Sequence, residues 1–235
     1  MDNKILMIAE VGNAHEGNLQ KAKDLINASA DAGADAVKFQ LFTADELLVK
    51  SHKRYQHFKD LQMSFDNWKE LNQLVKRNGL KLFCDVFGLD SYEVGKSLSA
   101  DGIKIHSSDI TNISLLNKIS GWDKGIFLSC GGATEFEIFK ALQILHSSNE
   151  NRQIVLMHGF QNFPTSKEET NLNRLRTLSQ KFMQPVGFMD HIDAEDKLAH
   201  ILPLLAVAAG SCVIEKHITM DRSLKVIDYY SSLEP

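Results

Sequence analysis

The sequence has few cysteines, no excess of positive charge and no long apolar run, and each of these features excludes a class of protein. The three cysteines (Cys84, Cys130 and Cys212) are widely separated and each lies in an apolar run, which indicates buried thiols rather than a disulfide framework. A formal charge of −4 provides no basic surface for nucleic acid. The first apolar run, residues 5–9, is interrupted by Glu10 and is too short for a signal sequence or a membrane span. These features predict a cytoplasmic protein that binds neither nucleic acid nor membrane.

Short apolar runs alternate with amphipathic helical segments along the chain. Hydrophobic residues make up 43% and charged residues 24% of the 235 residues, which is ordinary for one large globular domain. The apolar runs resemble parallel strands buried on both faces, and they span residues 5–9, 36–39, 80–84, 102–105, 125–128, 154–157, 186–188 and 212–215. This alternation predicts a single α/β domain, residues 1–235, folded as a (β/α)8 TIM barrel. A doubly wound open sheet is the alternative, but no Gly-x-Gly-x-x-Gly follows the first strand.

Two parts of the chain depart from this repeat. Residues 43–65 form a long connection rich in basic and aromatic side chains, which predicts either a lid over the site or a solvated loop. After the eighth strand the chain reaches Pro235 without another helical pattern, so the barrel is expected to lack its final helix. Apolar surface near the first and last strands would then need cover from a partner chain, as in a homodimer.

Chemically useful side chains follow the predicted strands at their carboxyl ends, where barrel enzymes have their sites. All eight runs deliver polar groups there, whereas their amino ends offer little beyond turn residues. In chain order these groups are Glu10, Asn13, His15, Lys38, Gln40, Asp85, Lys104, Ser107, Ser108, Asp109, Ser129, His158, Asp190, His191, Glu215, Lys216 and His217. The pattern predicts one polar site at this end of the barrel.

His191 and His217 each follow a β-rich run and have an acid nearby, Asp190 and Glu215. If the two runs are adjacent parallel strands, both imidazoles emerge at the same rim. There they could bind Zn, Mn or Fe and leave positions open for a substrate. The alternative is two unrelated histidines at strand ends.

Lys38 and Lys104 stand within apolar strands, although lysine is rarely buried without a partner. One interpretation is structural: the lysine reaches the rim or pairs with Glu10. A second is a pair of cations that binds a phosphate or carboxylate ligand. A third is an amine whose depressed pKa allows Schiff-base formation.

Six segments resemble the sialic acid synthase family in order and spacing. They are Ala9-Glu-Val-Gly-Asn-Ala-His-Glu-Gly17, Gly33-Ala-Asp-Ala-Val-Lys-Phe-Gln40, Lys104-Ile-His-Ser-Ser-Asp109, Pro185-Val-Gly-Phe-Met-Asp-His191, Val213-Ile-Glu-Lys-His217 and Ser232-Leu-Glu-Pro235. The resemblance implies a transferase of sialic acid biosynthesis that condenses phosphoenolpyruvate with an N-acylated amino-sugar aldose. The product would be a nine-carbon 2-keto acid such as N-acetylneuraminate, with release of phosphate. A metal-dependent dimer is also implied, built from a (β/α)8 barrel and a small antifreeze-like domain.

The resemblance also implies roles for individual residues. His191 and His217 would bind a divalent metal, with manganese favoured over magnesium, cobalt or zinc. The catalytic residues would be Glu10, Lys38, Lys104 and Asp228. The substrate-binding residues would be Gln40, Ser107, Ser129, Gln161, Asp190 and Glu215.

The chain departs from the family pattern mostly on the side expected to bind the sugar. Asp85 stands where a phosphate-contacting threonine is expected, so a lysine or the metal would have to neutralise it. Met189 replaces a serine, and the sixth-strand signature at residues 161–164 lacks a hydroxyl. The 235 residues show no match to the antifreeze-like domain, which in the family supplies a sugar-contacting arginine to the partner subunit, so the protein is expected to lack it. The departures predict a divergent member whose acceptor sugar can differ.

Two other functions stay open. One is a barrel aldolase or lyase that uses a two-histidine metal and an enolate without releasing phosphate. The other is a non-catalytic partner subunit of a synthase, motivated by the altered Asp85 and Met189 and by the missing helix and domain. Thermal stabilisation by phosphoenolpyruvate separates the condensing enzyme from the aldolase or lyase, since only the condensing enzyme needs this ligand. The partner subunit would be active only together with another chain, or never.

Overall fold

The computed structural model describes residues 4–160, 162 and 164–235 and contains a closed barrel of eight parallel strands. The strands are β1 (Leu6–Gly12), β2 (Ala36–Leu41), β3 (Lys81–Val86), β4 (Gly102–Ile105), β5 (Gly125–Ser129), β6 (Ile154–His158), β7 (Val186–Met189) and β8 (Val213–His217). Each strand pairs with its neighbours in chain order, and β8 closes the barrel on β1 with Glu10 opposite His217. The predicted (β/α)8 barrel is confirmed.

Helices cover the outside of the barrel and connect its strands. They are α1 (Leu19–Asp31), α2 (Ala44–Leu47), α3 (Tyr55–Leu61), α4 (Phe65–Arg77), α5 (Leu89–Ser97), α6 (Ile113–Ser120), α7 (Glu135–Leu145), α8 (Asn173–Phe182) and α9 (Leu198–Ala208). Local sequence fixes several of their starts. The Asn18 side chain caps α1, and Thr134 and Glu137 form a reciprocal capping box at the start of α7. Within the described residues, no helix is both long enough and apolar enough to cross a bilayer.

The segment after β8 folds back onto the barrel rim. Residues 218–235, all of them described, contain one short 3-10 helix (Arg222–Leu224) and no α-helix, as the sequence predicts. The Ile218 N–H donates to the Glu10 carbonyl at 3.0 Å, and the Leu233 N–H donates to the His217 carbonyl at 2.9 Å. These hydrogen bonds hold the segment beside the carboxyl ends of β1 and β8.

An apolar plug fills the barrel interior beneath the polar side chains. It consists of Ile8, Ala36, Phe83, Phe127, Met157, Met189 and Val213, all of them buried. Gly187 leaves room for it, because a Cβ at this position would lie 2.3 Å from the Sδ of Met157. Since alternate residues of a strand face the interior, the inward positions that follow the plug on β1, β2, β3 and β8 carry polar side chains.

Candidate active site

A cavity of about 370 Å³ opens at the carboxyl ends of the strands. It is lined by Glu10, Asn13, Lys38, Gln40, Leu47, Arg54, His57, Phe58, Leu61, Asp85, Phe87, Lys104, His106, Met189, His191, Glu215, His217, Ile227 and Asp228. Eight of the twelve predicted site residues are therefore brought together here: Glu10, Lys38, Gln40, Lys104, His191, Glu215, His217 and Asp228.

A buried charge cluster, made of Lys38, Lys104, Glu10, Asp85 and Glu215, lies at the floor of this cavity. Lys38 Nζ lies 2.6 Å from Glu10 Oε2, donates a hydrogen bond to Asp85 and lies 3.5 Å from Glu215 Oε1. Lys104 Nζ lies 2.6 Å from Glu215 Oε1 and 3.8 Å from Asp85 Oδ2. Since an unpaired buried charge is costly, the carboxylates explain how both lysines are accommodated. The expected pairing of Lys38 with Glu10 is present.

The charge cluster is close to neutral at pH 7. Burial raises the pKa of Glu10 to about 8 against the opposing effect of Lys38, with the Glu215 and Asp85 carboxylates adding to the rise. Burial would lower the pKa of Lys38, but Asp85, Glu10 and Glu215 together raise it well above its usual value. With Glu10 protonated, two ammonium groups face two carboxylates. A Schiff-base amine needs a depressed pKa, so that interpretation is wrong for Lys38.

Asp85 is held as a carboxylate between the two lysines. Burial would raise its pKa, but Lys104 and Lys38 lower it below the usual value. This arrangement meets the requirement that a lysine neutralise an acid at this position. It also means that Asp85 offsets part of the positive charge of Lys38 and Lys104, which would otherwise attract a bound anion.

The two histidines lie side by side at the ends of β7 and β8. Their ring centroids are 5.1 Å apart. His191 Nδ1 lies 2.6 Å from the Phe160 carbonyl, and because a carbonyl only accepts, Nδ1 carries the proton and Nε2 keeps its lone pair. Burial lowers the pKa of His191 to about 4, and burial together with His191 and the nearby lysines lowers the pKa of His217 well below its usual value.

Two neutral imidazoles on adjacent strands fit a metal held by few protein ligands, with the other positions left to water or substrate. Within the described part of the chain, no group of three or more His, Cys, Asp and Glu side chains forms a preassembled metal site. The donor set therefore suits an exchangeable divalent ion better than a closed structural one.

Gly12 allows two acids to approach the histidine pair. Its φ is +51°, and a Cβ there would lie 3.2 Å from Glu10 Oε1 and 3.3 Å from Asp228 Oδ2. The same Asp228 oxygen lies 3.9 Å from His217 Nδ1. Burial raises the pKa of Asp228. The segment after β8 thus adds an acid of raised basicity to the rim.

The lid, residues 44–61, covers one side of the cavity. Its start is attached to α5, because Glu46 Oε1 accepts the N–H groups of Asp90 at 3.0 Å and Ser91 at 3.1 Å. Phe58 of α3 packs edge-on against Phe42 at 5.7 Å between ring centroids. The lid contributes Leu47, Arg54, His57, Phe58 and Leu61 to the lining. This placement favours the lid interpretation over a solvated loop.

Two predicted substrate-binding residues lie outside the cavity lining. Ser129 is fully buried, and its hydroxyl donates to the Met189 sulfur at 4.0 Å. Asp190 pairs with Lys216 at 2.7 Å, and alternation along β8 turns Lys216 away from the interior that Glu215 and His217 face. The described structure gives neither side chain direct access to a ligand in the cavity.

Ser107 and Gln161 were also predicted to bind substrate. Ser107 lines a neighbouring cavity at the ends of β4 and β5, which shares only His106 with the main one. Gln161 lies outside the described residues, so its predicted role stays a prediction.

Several lining residues carry no role in the sequence-based assignment. His106 packs against Phe87 with ring centroids 5.1 Å apart, and burial lowers its pKa. It follows Lys104 by two positions, so strand alternation could have identified it. Arg54 and His57 stand in the long connection already singled out, but their contact with the cavity depends on how α2 and α3 fold back.

Comparison with known proteins places this architecture in a family. The model of the NeuB family matches residues 25–235. The N,N'-diacetyllegionaminic acid synthase of Legionella pneumophila is 34% identical over 97% of this chain and 68% of its own length. A pseudaminic acid synthase of Campylobacter jejuni is 29% identical over 99% of this chain and 70% of its own length.

A solved structure agrees. The N-acetylneuraminic acid (sialic acid) synthetase of Leptospira borgpetersenii, in complex with citrate, superposes with a TM-score of 0.91 at 31% identity, covering 99% of this chain and 79% of that one. The chain spans about two thirds of the length of the curated relatives it matches.

Proposed function

The chain belongs to the NeuB family, and on that premise we propose that it condenses phosphoenolpyruvate with an N-acyl amino-sugar aldose. The product is a nonulosonate 2-keto acid, and inorganic phosphate is released. One observation carries the proposal: the charge cluster and the neutral histidine pair line the same cavity at the carboxyl end of the barrel. A homodimer, or a partner chain against the barrel edge, and a cytoplasmic location remain predictions from the sequence.

The reaction forms one carbon–carbon bond, and at C2 a bond to the oxygen of water replaces the bond to the phosphate oxygen. C3 of phosphoenolpyruvate attacks the aldehyde carbon, and water adds to C2 of the resulting oxocarbenium. Loss of phosphate from C2 leaves the keto acid. The protein must therefore deliver a proton to the former aldehyde oxygen and remove one from water.

Glu10 and Asp228 are suited to these two proton transfers. With a pKa of about 8, Glu10 is largely protonated at neutral pH and can donate. The raised pKa of Asp228 makes its carboxylate a stronger base for the attacking water. Both lie at the position that Gly12 leaves open.

Lys38 and Lys104 would orient the phosphoenolpyruvate by hydrogen bonds. Because each already contacts carboxylates, an anion that reaches them has to share or displace Asp85 or Glu215. The lysines thus favour a ligand that brings compensating protons or a cation with it.

His191 and His217 would hold the divalent cation, for which manganese is favoured and magnesium, cobalt and zinc are alternatives. Bound there, it would polarise the aldehyde as a Lewis acid. The lone pair of His191 Nε2 and the neutral state of both rings support this role.

The test combines the protein with phosphoenolpyruvate, each divalent metal in turn, and a panel of amino sugars. The panel includes N-acetylmannosamine and a di-N-acetylated hexose, the class suggested by the name of the Legionella relative. We expect metal-dependent phosphate release that a chelator stops and that His191→Ala or His217→Ala abolishes.

Phosphate release with no aldose and no metal, from protein that remains folded, would contradict the proposal. Aldol cleavage without any stabilisation by phosphoenolpyruvate would favour the aldolase or lyase instead. Phosphoenolpyruvate binding without turnover by the chain alone, restored by a second protein, would favour the partner-subunit alternative.

A further inference from the structure

The lysines at the floor of the cavity are already paired with acidic side chains. Lys38 and Lys104 lie within 4.0 Å of three carboxylates, and Asp228 adds a fourth acid to the lining. A ligand with several negative charges would enter a cavity whose buried lysines give little net attraction. Another cation is needed to offset this charge.

Arg54 is the cation that meets this need. It lines the cavity from the lid and is exposed. Among the described lining residues it is the one lysine or arginine without a carboxylate within 4.0 Å, since both lysines of the charge cluster are paired. Its guanidinium lies 4.8 Å from the centroid of the Phe58 ring, which also lines the cavity.

The cation–π contact with Phe58 places the guanidinium at the lining of the cavity. This contact involves no N–H···O hydrogen bond, so the five N–H donors of the guanidinium are available to a ligand. A guanidinium in this state can bind a phosphate or a carboxylate through two parallel hydrogen bonds. Phe58 is in turn packed on Phe42, directly after β2, so the support begins at the barrel itself.

We propose that Arg54 binds an anionic group of the substrate, a phosphate or a carboxylate, and thereby provides the attraction for anions that the charge cluster does not. The identity of that substrate as phosphoenolpyruvate rests on the proposed function. The lid is then a binding element, and its arginine sets the affinity of the cavity for anions.

The test compares Arg54→Gln and Arg54→Lys with Lys53→Gln. Lys53 precedes Arg54 in the lid and is exposed but does not line the cavity, so its replacement removes the same charge without removing the contact. Calorimetric titration and thermal shift are measured with phosphoenolpyruvate, inorganic phosphate and pyruvate. The last two probes distinguish phosphate from carboxylate as the bound group.

We expect Arg54→Gln to weaken phosphoenolpyruvate binding about 10- to 100-fold, the range for a charge-assisted hydrogen-bonded pair. Arg54→Lys should fall between Arg54→Gln and the wild type, and Lys53→Gln should bind like the wild type. The unliganded melting temperature of Arg54→Gln should stay unchanged, which separates lost binding from a damaged lid.

Unchanged affinity in Arg54→Gln, or equal losses in Arg54→Gln and Lys53→Gln, would overturn the inference. The proposed function fails separately if the wild type binds phosphate in an Arg54-dependent manner but releases none from phosphoenolpyruvate with any aldose. A wild type that binds none of the three probes would overturn the inference as well.

Discussion

The barrel interior has two unlike halves. Five contiguous strands, β8 and β1 to β4, carry the charge cluster on their inward faces. The other three, β5 to β7, place Ser129, Met157 and Met189 inside, all buried and uncharged. The histidine pair spans the boundary between the halves, because His191 follows β7 and His217 ends β8.

The difference predicts where each part of the proposed chemistry occurs. Charged groups and proton carriers lie on the five-strand side, whereas the three-strand side presents an apolar wall headed by Met189. A ligand in the cavity therefore meets the charge cluster on the five-strand side, whereas the three-strand side offers His191 beside the apolar wall. Substitutions in the charged half should change both stability and anion binding, whereas those in the neutral half should leave anion binding little changed.

The largest effect is expected from Lys38→Met. This change leaves the buried acids Glu10, Asp85 and Glu215 with one lysine and should reduce the free energy of unfolding by about 3–5 kcal/mol, the cost of breaking a buried ion pair. Urea denaturation at pH 7 measures it. Lys118→Met is the control, since its pair with Glu93 is exposed and its loss should leave the midpoint unchanged. Equal shifts in both variants would show that the charged half is not a stabilising unit.

Asp85→Asn tests the difference between the two halves by its effect on anion binding. The substitution keeps the shape of the side chain but releases Lys38 and Lys104 from one carboxylate. We expect phosphoenolpyruvate or inorganic phosphate to bind about tenfold more tightly, as one unit charge near a ligand can provide. Asp90→Asn, the same charge change at an exposed position of α5, should have no effect. Weaker binding by Asp85→Asn would mean that Asp85 assists the ligand rather than competing with it.

The charged half explains why β1 and β8 were predicted to end too early. The apolar run at residues 5–9 ends before Glu10, yet β1 continues to Gly12, and β8 continues to His217 beyond the run at 212–215. Apolar character identifies a strand only where its inward side chains belong to the plug. Where inward side chains form the site, the strand persists but its sequence becomes polar, so the active site itself conceals the strand ends. Strand β4 was predicted with its observed bounds, Gly102–Ile105, because the Lys104 within it is flanked by apolar residues.

Glu10→Gln tests the electrostatics of the charged half through pH. Unfolded, Glu10 titrates near 4.5, and folded it titrates near 8, so between these values the folded protein holds an additional proton. Stability from this group is complete below pH 4.5, declines as pH rises to about 8, and is then flat. Glutamine has no such slope. The stability of Glu10→Gln relative to the wild type should therefore increase from pH 5 to pH 9, measured as the difference in melting temperature. Parallel profiles would contradict the raised pKa.

In the lid and in the neutral half, the sequence does not predict which side chains reach the cavity. The length of the 43–65 connection predicted a special role, but Arg54 and Phe58 reach the cavity only because α2 and α3 fold back, which no local periodicity encodes. Ser129 shows the opposite case. It stands at the expected strand end, but the side chain that covers it, Met189, comes from a strand sixty residues later in the chain.

The smallest effect is expected from Ser129→Ala. Both Ser129 and Gln40 were predicted to bind substrate, but only Gln40 lines the cavity, where its Oε1 accepts from Asn13 Nδ2 at 2.8 Å. The Ser129 hydroxyl has a sulfur partner at 4.0 Å, and its loss removes one weak hydrogen bond without exposing a polar group. Phosphoenolpyruvate affinity of Ser129→Ala should thus stay within about twofold of the wild type, while Gln40→Ala weakens binding of at least one substrate measurably. A large loss in Ser129→Ala would require Met189 to move aside when ligand binds, and the neutral half would then take part in recognition.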